Sequence, residues 1–498
     1  MYDLIIKNAN IADGSGNALY NSDIAIQDGK ITKISKGLSG AAQTIDAAGC
    51  VVSPGFIDSH GHAEDSVFSY PELTEKPEQG ITTSVSGCCG DSFISKVGNN
   101  KYNTVGQYLQ DAKDIPLGAN MLSFVGHSSV RFLVMGMQNR QSTLEELEKM
   151  KVLVAEAMEN GALGLSFGLI YTPSCYAETK ELVELAKVVK KYNGILSAHI
   201  RDEGDYLIEA VEEFITVVKQ SGTRGVISHH KAAWMQNWGK VQKTLALIEE
   251  ANKNGCDIYC DVYPYTASQT SINARFIPKE YHAIGIKKAL ADPEQRETIK
   301  KANLALFGED LSFTLVTRCD AYPQYVGLNL GEIAKIHGKN HHDTVLDMIA
   351  ESAGPCRACF FSMSDQDVEL VMQYPRAMIC TDSGVAGSST SYHPRLRGSF
   401  PRALGMYVRE KNLVSLPEMI RKMTALPAHV YDLPTKGYIR EGYDADICIF
   451  DPDKIADKAD YTNCTLRNEG LRYVLVAGQI AVQDNRYNGA KAGKMILK

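Results

Sequence analysis

The stretch "GFIDSHGH", residues 55–62, closes an apolar run with two histidines separated by one glycine. Side chains at i and i+2 of an extended strand share a face, so His60 and His62 can present two imidazoles to one metal ion if the strand continues through them. Cys89 in "SVSGCCGDS", His199 in "ILSAHIRDEG", His229 in "GVISHHKAAW" and Asp382 in "ICTDSG" also close strand-like runs. Imidazole nitrogen, thiolate and carboxylate together suit Zn²⁺ or a similar transition metal rather than Mg²⁺ or Ca²⁺. Such a metal lowers the pKa of a bound water and polarises a carbonyl. An ionised Asp382 beside it can take the water's proton and hand it to a leaving nitrogen, a combination that hydrolyses amides.

Residues this far apart in sequence act together only if the fold brings strand ends to one mouth. Eight apolar strand candidates alternate with helical patterns such as "TLEELEKMKVLVAEAMENG" and "TKELVELAKVVKKYNG", most of which stop at glycine. The polar residues ending the second to seventh strands, Cys89, His127, Ser166, His199, His229 and Asp261, lie 30–39 residues apart, and the step on to Asp382 is 121 residues. One βα unit takes roughly 30 residues or more, so this rhythm predicts a TIM-type (β/α)8 barrel, in the α/β class, with about 80 extra residues before the last strand. The insertion, lid-like in position, is expected at about 268–342. A doubly wound open sheet is the alternative, but the first strand is followed by no GxGxxG turn. Short alternating strands broken by Asp-Gly turns open the chain and return in "GYIREGYDADICIFDP" and "LRYVLVAGQIAVQDN". Residues 1–54 and 434–498 are therefore expected to share one small β-sandwich domain around a hydrolase barrel of residues 55–433.

With 498 residues, a net charge of −7 and no basic stripe, the chain lacks the electrostatic footprint of a nucleic-acid binder. No run approaches a membrane span, and the N-terminus has no signal-peptide pattern. The 12 cysteines are scattered, several inside apolar strands, which fits free thiols in the cytoplasm. Among them, Cys88 and Cys89 stand out as neighbours at a glycine-flanked strand end, where either could ligate a metal.

Ordered along nearly the whole chain, "PGFIDSHGH", "GCCG", "VGHSSVR", "GALGLSFGLIYTP", "AHIRDEGD", "ISHHKAAWMQNWGK", "DVYPYTAS", "TDSG", "HPRLRGSFPR" and "GYIREGYDADICIFDP" resemble the N-acyl-D-amino-acid deacylases (D-aminoacylases) of the amidohydrolase superfamily. The resemblance implies the same barrel with a split β-domain, and hydrolysis of small N-acyl-D-amino acids. It implies that Cys89, His199 and His229 hold a tight zinc, and that His60 and His62, near Asp382, form a second, weaker position. Many relatives bridge two metals with a carboxylated lysine on the fourth strand, but "ALGLSFGLIY" offers none. Asp382 would act as general base and then acid. Lys231, Tyr263 and Arg395 would meet the substrate carboxylate, Arg395 in the bidentate manner of a guanidinium.

Other residues are given lesser parts. His230 faces away from His229; His127 is expected to structure the third loop, with substrate contact as the alternative; Arg201 and Glu203 are expected to make hydrogen bonds behind the site. His337, His341 and His342 are expected at the surface of the insertion. "SFGL" and Arg275 in "INARF" depart from the family pattern and bear on substrate preference. Rival readings are a cyclic-amide hydrolase of the hydantoinase or dihydroorotase kind, which the missing lysine disfavours, and a non-catalytic scaffold.

Overall fold

In the computed structural model, residues 1–94, 102–352, 354, 356–385 and 393–498 are described. Eight parallel strands carry the catalytic half: Phe56–Asp58, Ile81–Ser86, Asn120–Ser123, Gly164–Gly168, Ile195–His199, Arg224–Ile227, Ile258–Val262 and Ala377–Ile379. The first three pair in sequence order, and the last five pair in order with the short strand Val125–Gly126, which continues the third strand past Phe124. The circle closes where the first and eighth strands meet, through the parallel bridge of Gly61 to Ser383 and the Asp382 N–H donated to the His60 carbonyl at 2.8 Å. This is the expected TIM-type barrel.

Its interior is packed with side chains drawn from successive strands, Ile57, Val85, Leu122, Ile195, Val226, Tyr259 and Met378 among them. Strands buried on both faces do not alternate apolar with solvent-facing residues, and every residue of Ile81–Ser86 and of Ile195–His199 is buried, the serines and threonines included. The outer helices follow from 3.6-residue periodicity. In Thr179–Lys191, Leu182, Leu185, Ala186 and Val189 face the core, and Lys190 and Lys191 occupy the last turn, where cations complement the helix dipole. A full capping box of Thr143 and Glu146 starts Leu144–Glu159.

Strands from both chain ends form one nine-stranded sheet. Its junction is the antiparallel pairing of Val51–Pro54 with Ile447–Phe450, next to the parallel contact of Val51–Pro54 with Tyr2–Ile11. The last residues leave this sheet and return to the barrel, where Gly493 and Met495 bridge to Leu117 and Met121 beside the third strand.

Between the seventh and eighth barrel strands lies a three-stranded antiparallel sheet of Ala267–Ser271, Thr314–Cys319 and Cys356–Phe361, with the last strand in the middle. Helices pack on it around a separate apolar core that includes Ile272, Phe276, Val316, Leu346 and Phe360. This unit runs to Phe361, well past the expected end at His342. The helix His341–Glu351 buries Val345, Leu346, Met348 and Ile349 in the insertion's core, and Asp365–Gln373 is the barrel helix before the last strand.

Candidate active site

His60 and His62 follow the first barrel strand, Cys89 the second, and His199 ends the fifth; His229 and Asp382 follow the sixth and eighth. Three of these six residues hold left-handed backbone, with φ of 55° at Cys89, 37° at His229 and 46° at Asp382. Such geometry is costly for a non-glycine residue and persists only where its surroundings enforce it. For His229 the enforcing contact is its N–H, donated to Asp261 Oδ1 at 2.6 Å. Near Cys89, strand four passes so closely that a Cβ on Gly168 would lie 2.0 Å from the Cys89 carbonyl oxygen. The kinks aim the three side chains toward the barrel axis.

Cys89 sits at the centre. Its Sγ is 3.3 Å from His60 Nε2, 3.6 Å from His199 Nδ1 and 3.5 Å from His229 Nε2. Ligand atoms of a tetrahedral zinc with thiolate and imidazole donors stand about 3.6 Å apart, from the usual bond lengths. Cys89, His199 and His229 thus meet the geometry a zinc ion needs. A second group, His60, His62, Cys89 and Asp382, also has its donor atoms within 4.8 Å of one another and shares the thiol with the first. Buried atoms without a hydrogen-bond partner point to the same fit: His60 Nδ1 and Asp261 Oδ2 stand 3.7 Å apart, and His199 Nε2 stands 3.5 Å from Glu203 Oε2. Imidazoles oriented from behind by carboxylates are the usual support of a metal site.

Glu203 is the hub of that support. Its Oε1 lies 3.0 Å from His229 Nδ1 and 2.6 Å from Lys231 Nζ. Burial would raise the Glu203 pKa, but Lys231, His199 and His229 outweigh it and hold the carboxyl well below its ordinary range. Burial, with the charge of Lys231, keeps His229 neutral by lowering its pKa strongly, and burial also lowers that of His199. A neutral His229 that donates its Nδ1–H to Glu203 in a hydrogen bond leaves the Nε2 lone pair facing Cys89. In that tautomer Lys231, now 2.7 Å from Nδ1, keeps Glu203 as its partner.

Asp382 Oδ1 is 3.2 Å from His62 Nε2, and Oδ2 is 2.5 Å from Arg395 Nη1. Burial works against ionisation, yet Arg395, His229 and His62 together hold the Asp382 carboxyl well below the ordinary range. It is a carboxylate at neutral pH. The Cys89 thiol is pushed up strongly by burial and by the negative charge of Asp382, as expected of a sulfur that needs a cation to ionise.

These groups open into a cavity of about 500 Å³. One wall carries His62, Cys89, His199, His229, Lys231, Asp382 and Arg395, and the facing wall is the insertion, from Ser268 to Arg275 with Arg318 and Arg357. Tyr263 is not on the wall. Its ring lies under both cations, 4.8 Å from Arg395 Cζ and 5.5 Å from Lys231 Nζ, and its hydroxyl points to Met363 Sδ at 3.6 Å. Cys88 packs in the barrel interior with Val85 and Phe124, which leaves the ligand position to Cys89. His230 turns away to Thr244 Oγ1 at 2.8 Å. His127 is bound to Glu181 at 2.9 Å beside Arg131 and Ser174 and lies off the cavity. Arg201 clasps Glu213. His341 and His337 are partly tied within the insertion, and His342, expected at the surface, is buried with Nε2 donating to the Gly308 carbonyl at 2.8 Å. Asp261, marked in the sequence only as the polar residue near the end of the seventh strand, takes part in the site, and Tyr171, Arg318 and Arg357, which carry no signal in the sequence, line the cavity.

A closed parallel barrel whose strand ends converge on a thiol, four imidazoles and a carboxylate defines a metal-dependent hydrolase. The chain belongs to the amidohydrolase family, whose model matches residues 43–297 and 368–482; the break between them takes in most of the insertion and the start of the barrel helix that follows it. It is 32% identical to a D-aminoacylase of Alcaligenes xylosoxydans xylosoxydans over 100% of this chain and 98% of that protein. An N-acyl-D-glutamate deacylase of the same organism is 34% identical over 96% and 93%. The crystal structure of N-acyl-D-glutamate deacylase from Bordetella bronchiseptica, complexed with zinc and a phosphonate mimic of the tetrahedral intermediate, superposes with a TM-score of 0.86 at 31% identity over the whole of both chains. An L-hydantoinase from Arthrobacter aurescens, at 15% identity and a TM-score of 0.60, shares the fold alone.

Proposed function

We propose that this chain is a zinc-dependent deacylase that cleaves N-acyl-D-amino acids to a carboxylate and a free D-amino acid. The observation that carries this reading is the placement of two cations, Lys231 and Arg395, on the cavity wall beside the donor cluster and Asp382. Cys89, His199 and His229 would hold the tight zinc, and His60 and His62, with Asp382, the weaker position. Bound there, zinc would supply an acidified water and a polarised amide carbonyl.

The chain's own groups do the rest. Asp382, ionised and fixed through Oδ2 by Arg395, has Oδ1 turned toward the donor cluster to take a proton and return it to the departing amine. Arg395 keeps an Nε without a hydrogen-bond partner, and Lys231 Nζ lies 5.5 Å from the same Tyr263 ring. Between them a free carboxylate would be held in one orientation, which fixes the enantiomer whose amide reaches the reacting centre. Tyr263 positions the two cations through its ring. The remaining chain, residues 1–54 and 434–498, serves as a small β-domain around the barrel of residues 55–433. Twelve cysteines without a disulfide support a cytoplasmic setting.

A hydantoin ring has no free carboxylate, and that separates the hydantoinase reading. The test is the ratio of kcat/KM for an N-acetyl-D-amino acid and its methylamide, in the parent enzyme and in Lys231→Ala. The reading predicts a strong preference for the free acid that Lys231→Ala erodes about tenfold or more, the worth of a charge-assisted hydrogen bond. A ratio near one in the parent, or the same ratio in both proteins, would contradict it.

A further inference from the structure

With the amide at the donor cluster and the α-carboxylate at Lys231 and Arg395, the rest of the substrate extends toward the facing wall. That wall is built by the insertion and carries three guanidinium groups, Arg275, Arg318 and Arg357. Arg318 is committed to Asp320 at 2.8 Å. Neither Arg275 nor Arg357 has an ion-pair partner among the described residues.

Arg275 is the most unusual of the three. It sits in the short helix Ile272–Phe276, and its guanidinium lies 5.2 Å over the Trp234 ring and 5.5 Å over Phe360. Its Nε is buried with no hydrogen-bond acceptor. Two aromatic faces fix the plane of the fork without using its N–H edges, which remain to be satisfied from the cavity. Arg357 stands opposite Ser271, which lies four residues before Arg275, and so belongs to the same wall. A buried donor left without an acceptor costs about 1–3 kcal/mol, and more when charged, so a cavity wall shaped this way favours a ligand that brings the acceptor.

We infer that the substrate carries a second carboxylate, received by Arg275 with Arg357 at the insertion wall. This rests on the deacylase reading and narrows it to dianionic substrates. The second carboxylate can belong to the amino-acid side chain or to the acyl group, and neutral isosteres separate the two.

The experiment uses the zinc-loaded enzyme with two pairs: N-acetyl-D-glutamate against N-acetyl-D-glutamine, and N-succinyl-D-alanine against its terminal amide. One pair should favour the acid by about 20-fold or more in kcat/KM, carried mainly by KM, the range of a charge-assisted hydrogen bond. Preference in the first pair assigns the charge to the side chain, and in the second to the acyl group. Arg275→Met, which keeps the stem, should collapse the preference to within about threefold while leaving the neutral substrate nearly unchanged, and Arg357→Gln should erode it in part. Calorimetric binding of the same pairs to Asp382→Asn should show the same preference without turnover. Hydrolysis of both pairs with no acid preference, or a preference that survives Arg275→Met, overturns the inference and leaves the deacylase reading standing. Acid-selective binding to Asp382→Asn with no amine release from any substrate by the parent overturns the deacylase reading instead.

Discussion

Asp382 and Arg395 share a hydrogen bond of 2.5 Å between Oδ2 and Nη1, and both side chains lie on the cavity wall. The pairing fixes one carboxylate oxygen and leaves the other, 3.2 Å from His62 Nε2, turned toward the metal donors. Asp382→Asn preserves the shape and removes the proton acceptor. Turnover should fall by about 10²–10⁴-fold with the fold intact. Rates close to the parent's, measured by amine release, would remove Asp382 from the proton path.

The two adjacent cysteines make opposite predictions. Cys89→Ala removes the sulfur that both donor groups share, so tight zinc should be lost, as read by metal analysis after dialysis. Cys88→Ala removes a small apolar side chain from the barrel interior, and should keep its zinc while losing about 1 kcal/mol of stability. The reverse pattern would reassign the ligand.

Glu203 orients two imidazoles and Lys231. Glu203→Gln should weaken zinc affinity about 10–100-fold. A competition titration against a chromophoric chelator measures this directly, and unaltered affinity would show that the histidines need no carboxylate behind them.

Away from the site, Glu181 is buried between His127 and Arg131, 2.9 Å from one and 2.6 Å from the other. Burial would raise its pKa, but these two partners bring it down to about 2. A depressed folded pKa gives stability that is fully present above about pH 4.3, the unfolded value, and is lost as pH falls through about 2. Glu181→Gln should therefore destabilise the enzyme by about 3–5 kcal/mol at pH 7 by leaving Arg131 buried and unpaired, and the gap to the parent should narrow in acid. Denaturation at pH 7 and pH 3 checks both parts; a gap independent of pH would mean that the charge on Glu181 is not what stabilises.

Much of this was legible in the sequence because parallel barrels write their strands as apolar runs and end them with the residues that do chemistry. His60, His62, Cys89, His199, His229 and Asp382 were found that way, and they converge. What the residues could not reveal follows from local backbone and from packing. The left-handed turns at Cys89, His229 and Asp382 break the alternation rule that would have decided between Cys88 and Cys89. Glu203 was expected to hydrogen-bond behind the site and does, whereas Arg201, expected beside it, turns to Glu213; which groups each one supports is set only by the fold. The burial of His342 and the full extent of the insertion depend on a core that its helices form with one another, so counting from one strand end to the next could not bound it. Arg318 and Arg357 face the cavity from strands paired across a long connection, a relationship with no local signal.

The central claim is that zinc-dependent chemistry at this cluster releases D-amino acids, and the most direct measurement is amine release from matched N-acetyl-D- and N-acetyl-L-amino acids by the zinc-loaded and the chelator-stripped protein. The account predicts release from the D series only when zinc is present, with the L enantiomers slower by about 100-fold or more, because the carboxylate held by Lys231 and Arg395 dictates which face of the amide is presented. Equal rates for the two enantiomers, or undiminished release after the metal is stripped, would contradict it.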